Sequence, residues 1–206
     1  NKSPAASGGG GGGGGAGFGK AGAASPSAPK VRSVSGHAGS GEKPLRQAAN
    51  TFDAIIKEHG KESVHDVYCY SPLDHESNPD TFWFVGKIAV SPGTQPHEAV
   101  LSQKRLILEY SKRELRPQNL GGKFAPALEL WLAPGDSEMD AVQNKVDFVK
   151  VDGTTRDLPE DFDVREVGYN PEIYVGDEVT KGGLRVKRDP ATGKPIKPVF
   201  EVNQSM

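Results

Sequence analysis

The side chains able to do chemistry in this chain are scattered rather than grouped. The five histidines, His37, His59, His65, His75 and His97, contain no H-E-x-x-H or other compact ligand spacing. His65 and Cys69 suggest a thiolate–imidazole pair. On one strand, however, four residues of rise separate them by roughly 13 Å, beyond hydrogen-bond reach. Cys69 is the single cysteine, so an intramolecular disulfide and a multi-cysteine metal site are both excluded. It reads as a small buried hydrophobe. Asp74, His75, Glu76 and Asp80 concentrate oxygen and nitrogen donors ahead of an apolar run. They are a metal-ligating candidate, but are read as a polar turn whose Asp and Asn side chains bond their own backbone. Asp136, Glu138 and Asp140 follow Pro134-Gly135 and resemble half of a calcium loop. The central glycine and terminal glutamate of such a loop are missing, so a solvated turn or helix start is expected. Gly14 to Lys20 formally matches G-x-x-x-x-G-K, with Ala21 where a magnesium-binding hydroxyl belongs and an eight-glycine run just before. A phosphate loop also needs a preceding strand, which glycine-rich sequence does not supply. No catalytic, cofactor or metal site is expected.

Aromatic residues carry the alternative chemistry, that of contact. In Ala127 to Ala133 (ALELWLA), Leu128, Leu130 and Leu132 fall on one face of a strand and Glu129 and Trp131 on the other. If the second face is open, Trp131 is an anchor for a partner. If the sheet is covered on both faces, it is core. Trp131, Glu129, Tyr68 and Tyr70, with Ile173, Tyr174 and Val175 from the C-terminal region, are the candidate contact residues.

The elements that position these residues follow from periodicity. Leu45, Ala48, Ala49, Phe52, Ile55 and Ile56 recur at helical spacing between Pro44, suited to a first turn, and Gly60, suited to a stop. Val64 to Tyr70 and Phe82 to Val90 read as strands, and Gly86 inside the second predicts a bulge or a close backbone approach. A helix is expected over His97 to Leu115, with Leu101, Leu108 and Leu115 in one stripe and Pro117 blocking continuation. Val146 to Val151 reads as a fourth strand. Beyond Asp152 the apolar density falls. Glu172 to Val179 and Leu184 to Lys187 are expected to pair across a Lys181-Gly182-Gly183 turn, and Ile196 to Val202 to return after Asp189 to Gly193. The fold class expected is α+β: a small, mainly antiparallel sheet covered by one or two helices. Residues 1–43 form a disordered lead, 44–152 the compact domain and 153–206 an extended arm.

Composition narrows the partners. The formal net charge of −2 gives no general nucleic-acid affinity, so no DNA contact is expected. RNA remains open through Lys181 to Lys197, which holds six Lys/Arg against one Asp. The longest apolar run falls well short of the roughly 18 residues of a membrane span, leaving peripheral association as the only membrane role. Residues 1–43 carry five Lys/Arg against one acid, with many Ser and Ala, the bias of an organelle transit segment or of a flexible linker. The first residue is Asn rather than Met, as in a processed or partial sequence.

That acid-poor lead, the Gly17-Phe18-Gly19-Lys20 element and the abrupt start of a small domain resemble a nucleus-encoded plastid protein of an alga or plant. The blocks Pro79 to Ala89 and Pro126 to Asp140 are distinctive but attach to no named family. The resemblance implies a setting, the chloroplast stroma or thylakoid surface, and no catalytic residues. The function expected is a non-enzymatic accessory, assembly or regulatory protein of a photosynthetic complex, acting by protein–protein contact. The alternatives are a small plastid enzyme or ligand-binding domain, with a pocket between sheet and helix and Asp74, His75, Glu76 and Asp80 at its mouth, and an organellar ribonucleoprotein subunit.

Overall fold

The computed structural model describes residues 41–172 and 183–196. Helix α1 (Glu42–His59) carries Pro44 in its first turn and stops at Gly60, whose φ of +78° few other residues adopt and whose N–H bonds the Ile56 carbonyl at 2.8 Å. Strands β1 (Val64–Tyr70) and β2 (Thr81–Val90) follow. Helix α2 (Pro96–Tyr110) starts on a proline, which costs it no hydrogen bond. It then widens into a single looser turn at Ser111–Leu115, closed by Arg116 N–H on the Ser111 carbonyl at 2.8 Å. The predicted helix to Leu115 is therefore two pieces of different pitch, ended by Pro117 at the start of the short α3 (Pro117–Leu120). The chain continues through β3 (Glu129–Ala133), α4 (Glu138–Val142), β4 (Val149–Lys150), β5 (Val167–Pro171) and β6 (Arg185–Lys187).

These strands form one antiparallel sheet in the order β4-β3-β1-β2-β5, with β6 also paired to β2. β5 pairs with Gly86 to Val90 and β6 with Thr81 to Trp83, so one edge of β2 serves two strands in series. The α+β, mainly antiparallel class read from the sequence is the class observed. The sheet does not stop at residue 152, however. β5 and β6 belong to it, and Val167, Tyr169 and Val186 are buried in its cores. Their apolar residues are few, which is why the sequence suggests an arm, but an edge strand needs only two or three inward side chains. The turn at Asp189 to Gly193 is present, held by the Asp189 carboxylate accepting from Ala191 N–H and Thr192 O–H. The expected strands over 172–179 and 196–202 lie mainly outside the described residues, as does the lead over 1–40.

Gly86 is both a bulge and a close approach. The register between β1 and β2 slips there, leaving Val85 as the extra residue. The Val85 carbonyl is taken by the Tyr169 hydroxyl at 2.6 Å and Glu172 N–H at 3.1 Å. A Cβ on Gly86 would collide with the backbone of Asn170 and Pro171.

Both faces of the sheet are covered. On the first, Val67, Cys69, Val85, Ile88, Leu130, Leu132 and Tyr169 pack against α2 and the start of α1. On the second lie two apolar groups. Phe52 and Ile55 of α1 pack with Val64 and Ala89, while Tyr68, Phe82, Phe84, Trp131 and Phe148 form an aromatic cluster. Helix α1 thus contributes to both faces as it passes the β5 edge, which shields that edge from pairing with another chain. Between the two apolar groups of the second face sits a polar cluster. Among the described residues, no helix is long and apolar enough to cross a membrane.

Candidate functional site

The polar cluster begins with Asp66 on β1 and Lys87 on β2, opposite each other in register. Strict alternation from Trp83 and Val85 would send Lys87 into the α2-facing core. The bulge at Val85-Gly86 resets the parity and turns it to the second face. There its Nζ lies 2.8 Å from Asp66 Oδ1, 2.6 Å from Asp136 Oδ1 and 2.7 Å from Glu138 Oε1. It also stands 5.3 Å from the Phe84 ring centroid. Asp66 is fully buried, and its Oδ2 accepts from Ser137 N–H at 3.0 Å. The neighbouring Gly135 N–H donates to His65 Nδ1 at 3.3 Å, and burial holds the His65 pKa below its usual value. The bonds to Gly135, Asp136, Ser137 and Glu138 tie the 135–138 turn, and hence α4, to the sheet.

The charges are mutually satisfied. Burial alone would lower the Lys87 pKa, but hydrogen bonds to Asp136, Asp66 and Glu138 override it and raise the pKa. The Lys87 bond pulls Asp136 below the ordinary carboxylate value. Asp66 moves the other way: burial raises its pKa more than its share of Lys87 and the Ser137 N–H lower it. The two partners of one ion pair thus both shift upward. The reason is that the lysine has three carboxylates and the fully buried aspartate has one cation. An ammonium has three N–H donors, and here all three are engaged. A nucleophilic lysine needs a lowered pKa and a free lone pair, the opposite of this arrangement. The oxygens of Asp66, Asp136 and Glu138 lie within 4.8 Å of one another, close enough to hold a metal ion, but Lys87 supplies the cation they need.

A second cation, wholly buried, works nearby. Arg188, wholly inaccessible, lies 4.6 Å over the Phe148 ring and donates to the carbonyls of Ala141 at 2.7 Å and Val146 at 3.3 Å and to Asn144 Oδ1 at 2.9 Å. It meets α4 from its C-terminal end as Lys87 does from its N-terminal end. Asn144 sits at φ +59°, a left-handed conformation that asparagine tolerates.

The predicted contact residues fall as follows. Tyr68, Tyr70 and Trp131 are buried, so the open-face alternative for Trp131 is not what the fold adopts. Phe148, Val186 and Gly193 cover them, and Tyr68 stacks on Phe148 with centroids 4.3 Å apart. Two-residue alternation placed Trp131 on the correct face but says nothing of the Phe148 loop and the Gly193 turn that fold over it. Glu129 is half-buried, accepts from Lys150 Nζ at 2.8 Å and receives the Trp131 indole N–H at 3.3 Å. Ile173, Tyr174 and Val175 lie outside the described residues. Of the basic run at 181–197, Arg188 is spent inside the fold and Arg185 lies 5.5 Å from the Trp83 ring. Among the described residues, core side chains occupy the space of the expected pocket between the sheet and α2. Asp74, His75 and Glu76 instead line a recess in the β1–β2 loop, and Asp80 belongs to a different, shallower hollow beside Asp189 and Ile196.

The sequence reading missed Asp66, Lys87, Ser137 and Arg188. A signal existed for two of them: Asp66 and Lys87 are charges inside otherwise apolar strand runs, a pattern that calls for a buried partner. The chain matches no family model, no curated protein and no solved structure.

Proposed function

We propose that this protein is a non-enzymatic accessory or assembly component, working by protein–protein contact in a chloroplast photosynthetic complex. One observation carries the contact reading. The polar links of the Asp66–Lys87 cluster and of Arg188 converge on α4, and α4 turns two apolar side chains outward beside the exposed Asp140. Ser137 and Glu138 anchor its start through Asp66 and Lys87, and Arg188 holds the Ala141 carbonyl near its end. Met139 and Val142, three residues apart, are 67% and 50% exposed. Fixing a five-residue helix with one buried and one largely covered cation is costly unless its placement matters, and methionine suits an adaptable contact surface. The chloroplast setting is supported by the acid-poor lead alone.

The test is affinity capture of the tagged protein from native extract at moderate salt, beside a Met139→Ser/Val142→Ser variant. Near-stoichiometric complex subunits with the parent chain, lost in the equally stable variant, are the expected result. Equal recovery by both removes α4 from the role. Recovery of the parent chain alone, monomeric, overturns the accessory reading and favours a ligand-binding domain, for which the β1–β2 recess is the observed candidate.

A further inference from the structure

The loop between β1 and β2 folds against the turn at Gly122–Ala127, joined to it by Ser71 Oγ donating to the Phe124 carbonyl at 3.3 Å. Between them opens a recess of about 230 Å³. Leu73 and Phe124 give it apolar walls, while Asp74, Glu76 and Lys123 bring charge. The size is below the roughly 300–1,000 Å³ of sites that enclose a whole small-molecule ligand, and suits one side chain.

Asp74 is its unusual member. The residue is 5% exposed, its N–H donates to the Ser71 carbonyl at 3.2 Å, and its Oδ2 accepts from Asn78 Nδ2 at 2.8 Å. Its Oδ1 is buried and accepts no hydrogen bond among the described residues. An unpaired buried acceptor costs about 1–3 kcal/mol, and more when charged, so a donor delivered to it recovers that energy. The χ2 torsion of aspartate is broad, which lets the carboxylate turn toward an arriving group.

The chemistry of the walls selects the donor. Two carboxylates, Asp74 and Glu76, outnumber the single ammonium of Lys123, which stays 4.9 Å from the ring of its neighbour Phe124. The net preference is for a cation. The recess lacks the three-residue donor set of a metal site, which among the described residues only Asp66, Asp136 and Glu138 bring within 4.8 Å of one another. Leu73, 48% exposed, and the partly buried Phe124 offer aliphatic and aromatic surface on the way to Asp74. An apolar stem ending in a positive head matches that sequence of surfaces. We infer that the recess receives one basic side chain, arginine or lysine, presented by a partner protein, with Asp74 as its buried acceptor. This rests on the protein-contact reading and names the chemistry the partner must show.

The experiment is an amide-resonance titration of the full chain with the blocked peptide Gly-Arg-Gly, its citrulline counterpart and the free cation agmatine. Saturable shifts at residues 73–77 and 122–124 with the arginine peptide are expected, absent with citrulline and weaker with agmatine. Asp74→Asn, which keeps the shape and removes the charge, is expected to weaken peptide binding about tenfold. If that variant does not fold, Glu76→Gln at the exposed wall serves instead and is expected to weaken binding severalfold. No saturable shift, equal shifts with citrulline, or unchanged affinity in the variant tested overturns the inference. Tighter binding of agmatine than of the peptide assigns the recess to a free cation and overturns the partner source. The titration uses no partner and does not involve α4, so its failure is distinct from a failure of the capture experiment.

Discussion

Lys87 Nζ lies 2.8 Å from the Oδ1 of Asp66, directly across two adjacent strands, and this pair faces the helix-bearing turn only because one residue is bulged out of β2. Asp66 is inaccessible to solvent and Lys87 is about one-fifth exposed. Removing either partner has unequal consequences. Loss of the lysine strands three carboxylates, one of them buried, whereas loss of the aspartate charge also removes its burial cost.

Lys87→Met is therefore expected to cost about 3 kcal/mol of unfolding free energy at neutral pH, and Asp66→Asn clearly less. The pH dependence has a definite sign. An unfolded lysine gives up its proton near 10.5, while folded Lys87 holds it longer. Its contribution is fully present below 10.5 and is lost as pH rises through the higher folded value. On the acid side Asp136, lowered by Lys87, contributes above its unfolded value of 3.8 and loses that as pH falls through the folded one. Asp66, raised by burial, has the opposite slope just above 3.8 and flattens the acid limb. Urea unfolding of the parent chain and Lys87→Met from pH 3 to 12 checks this. A gap between them that widens above pH 10.5 contradicts the assignment.

Gly168 is where α1 touches β5. A Cβ there would land on the backbone N and Cα of Phe52, which no side-chain rotation relieves. Gly168→Ala is expected to cost about 3 kcal/mol by pushing α1 off the sheet edge. Gly122→Ala, at φ +55° with nothing within 4 Å, is expected to cost about 1 kcal/mol. Chemical denaturation of both variants is the check, and a Gly168→Ala protein as stable as Gly122→Ala would mean that α1 does not press on β5 at Gly168.

Cys69 is inaccessible and packs in the core beneath α2, where burial, with Glu129 adding to it, pushes its thiol pKa well above the ordinary value. A thiol that stays protonated and covered is neither a nucleophile nor a redox switch. Labelling by a disulfide reagent is expected to be negligible in the folded state and complete in urea, tracking unfolding. Reaction of the native protein at the rate of a free thiol would overturn this.

What the sequence determined by itself was everything local. Period-3.6 stripes fixed α1 and α2, Gly60 fixed the end of α1, Pro117 the end of the looser turn after α2, and period-2 alternation fixed β1, β2 and β3 and put Leu130 and Trp131 on opposite faces. Gly86 was legible as a bulge because only glycine accepts φ +137° there. What the tertiary structure decided was non-local. β5 and β6 join β2 across long sequence separation, and the energy of such pairing lies in the partner's edge, not in the strand's own residues. The same long-range packing buried Trp131 and turned Arg188 from a tail cation into an interior one. Whether a side chain is available for contact depends on what folds over it, and no pattern within its own strand records that.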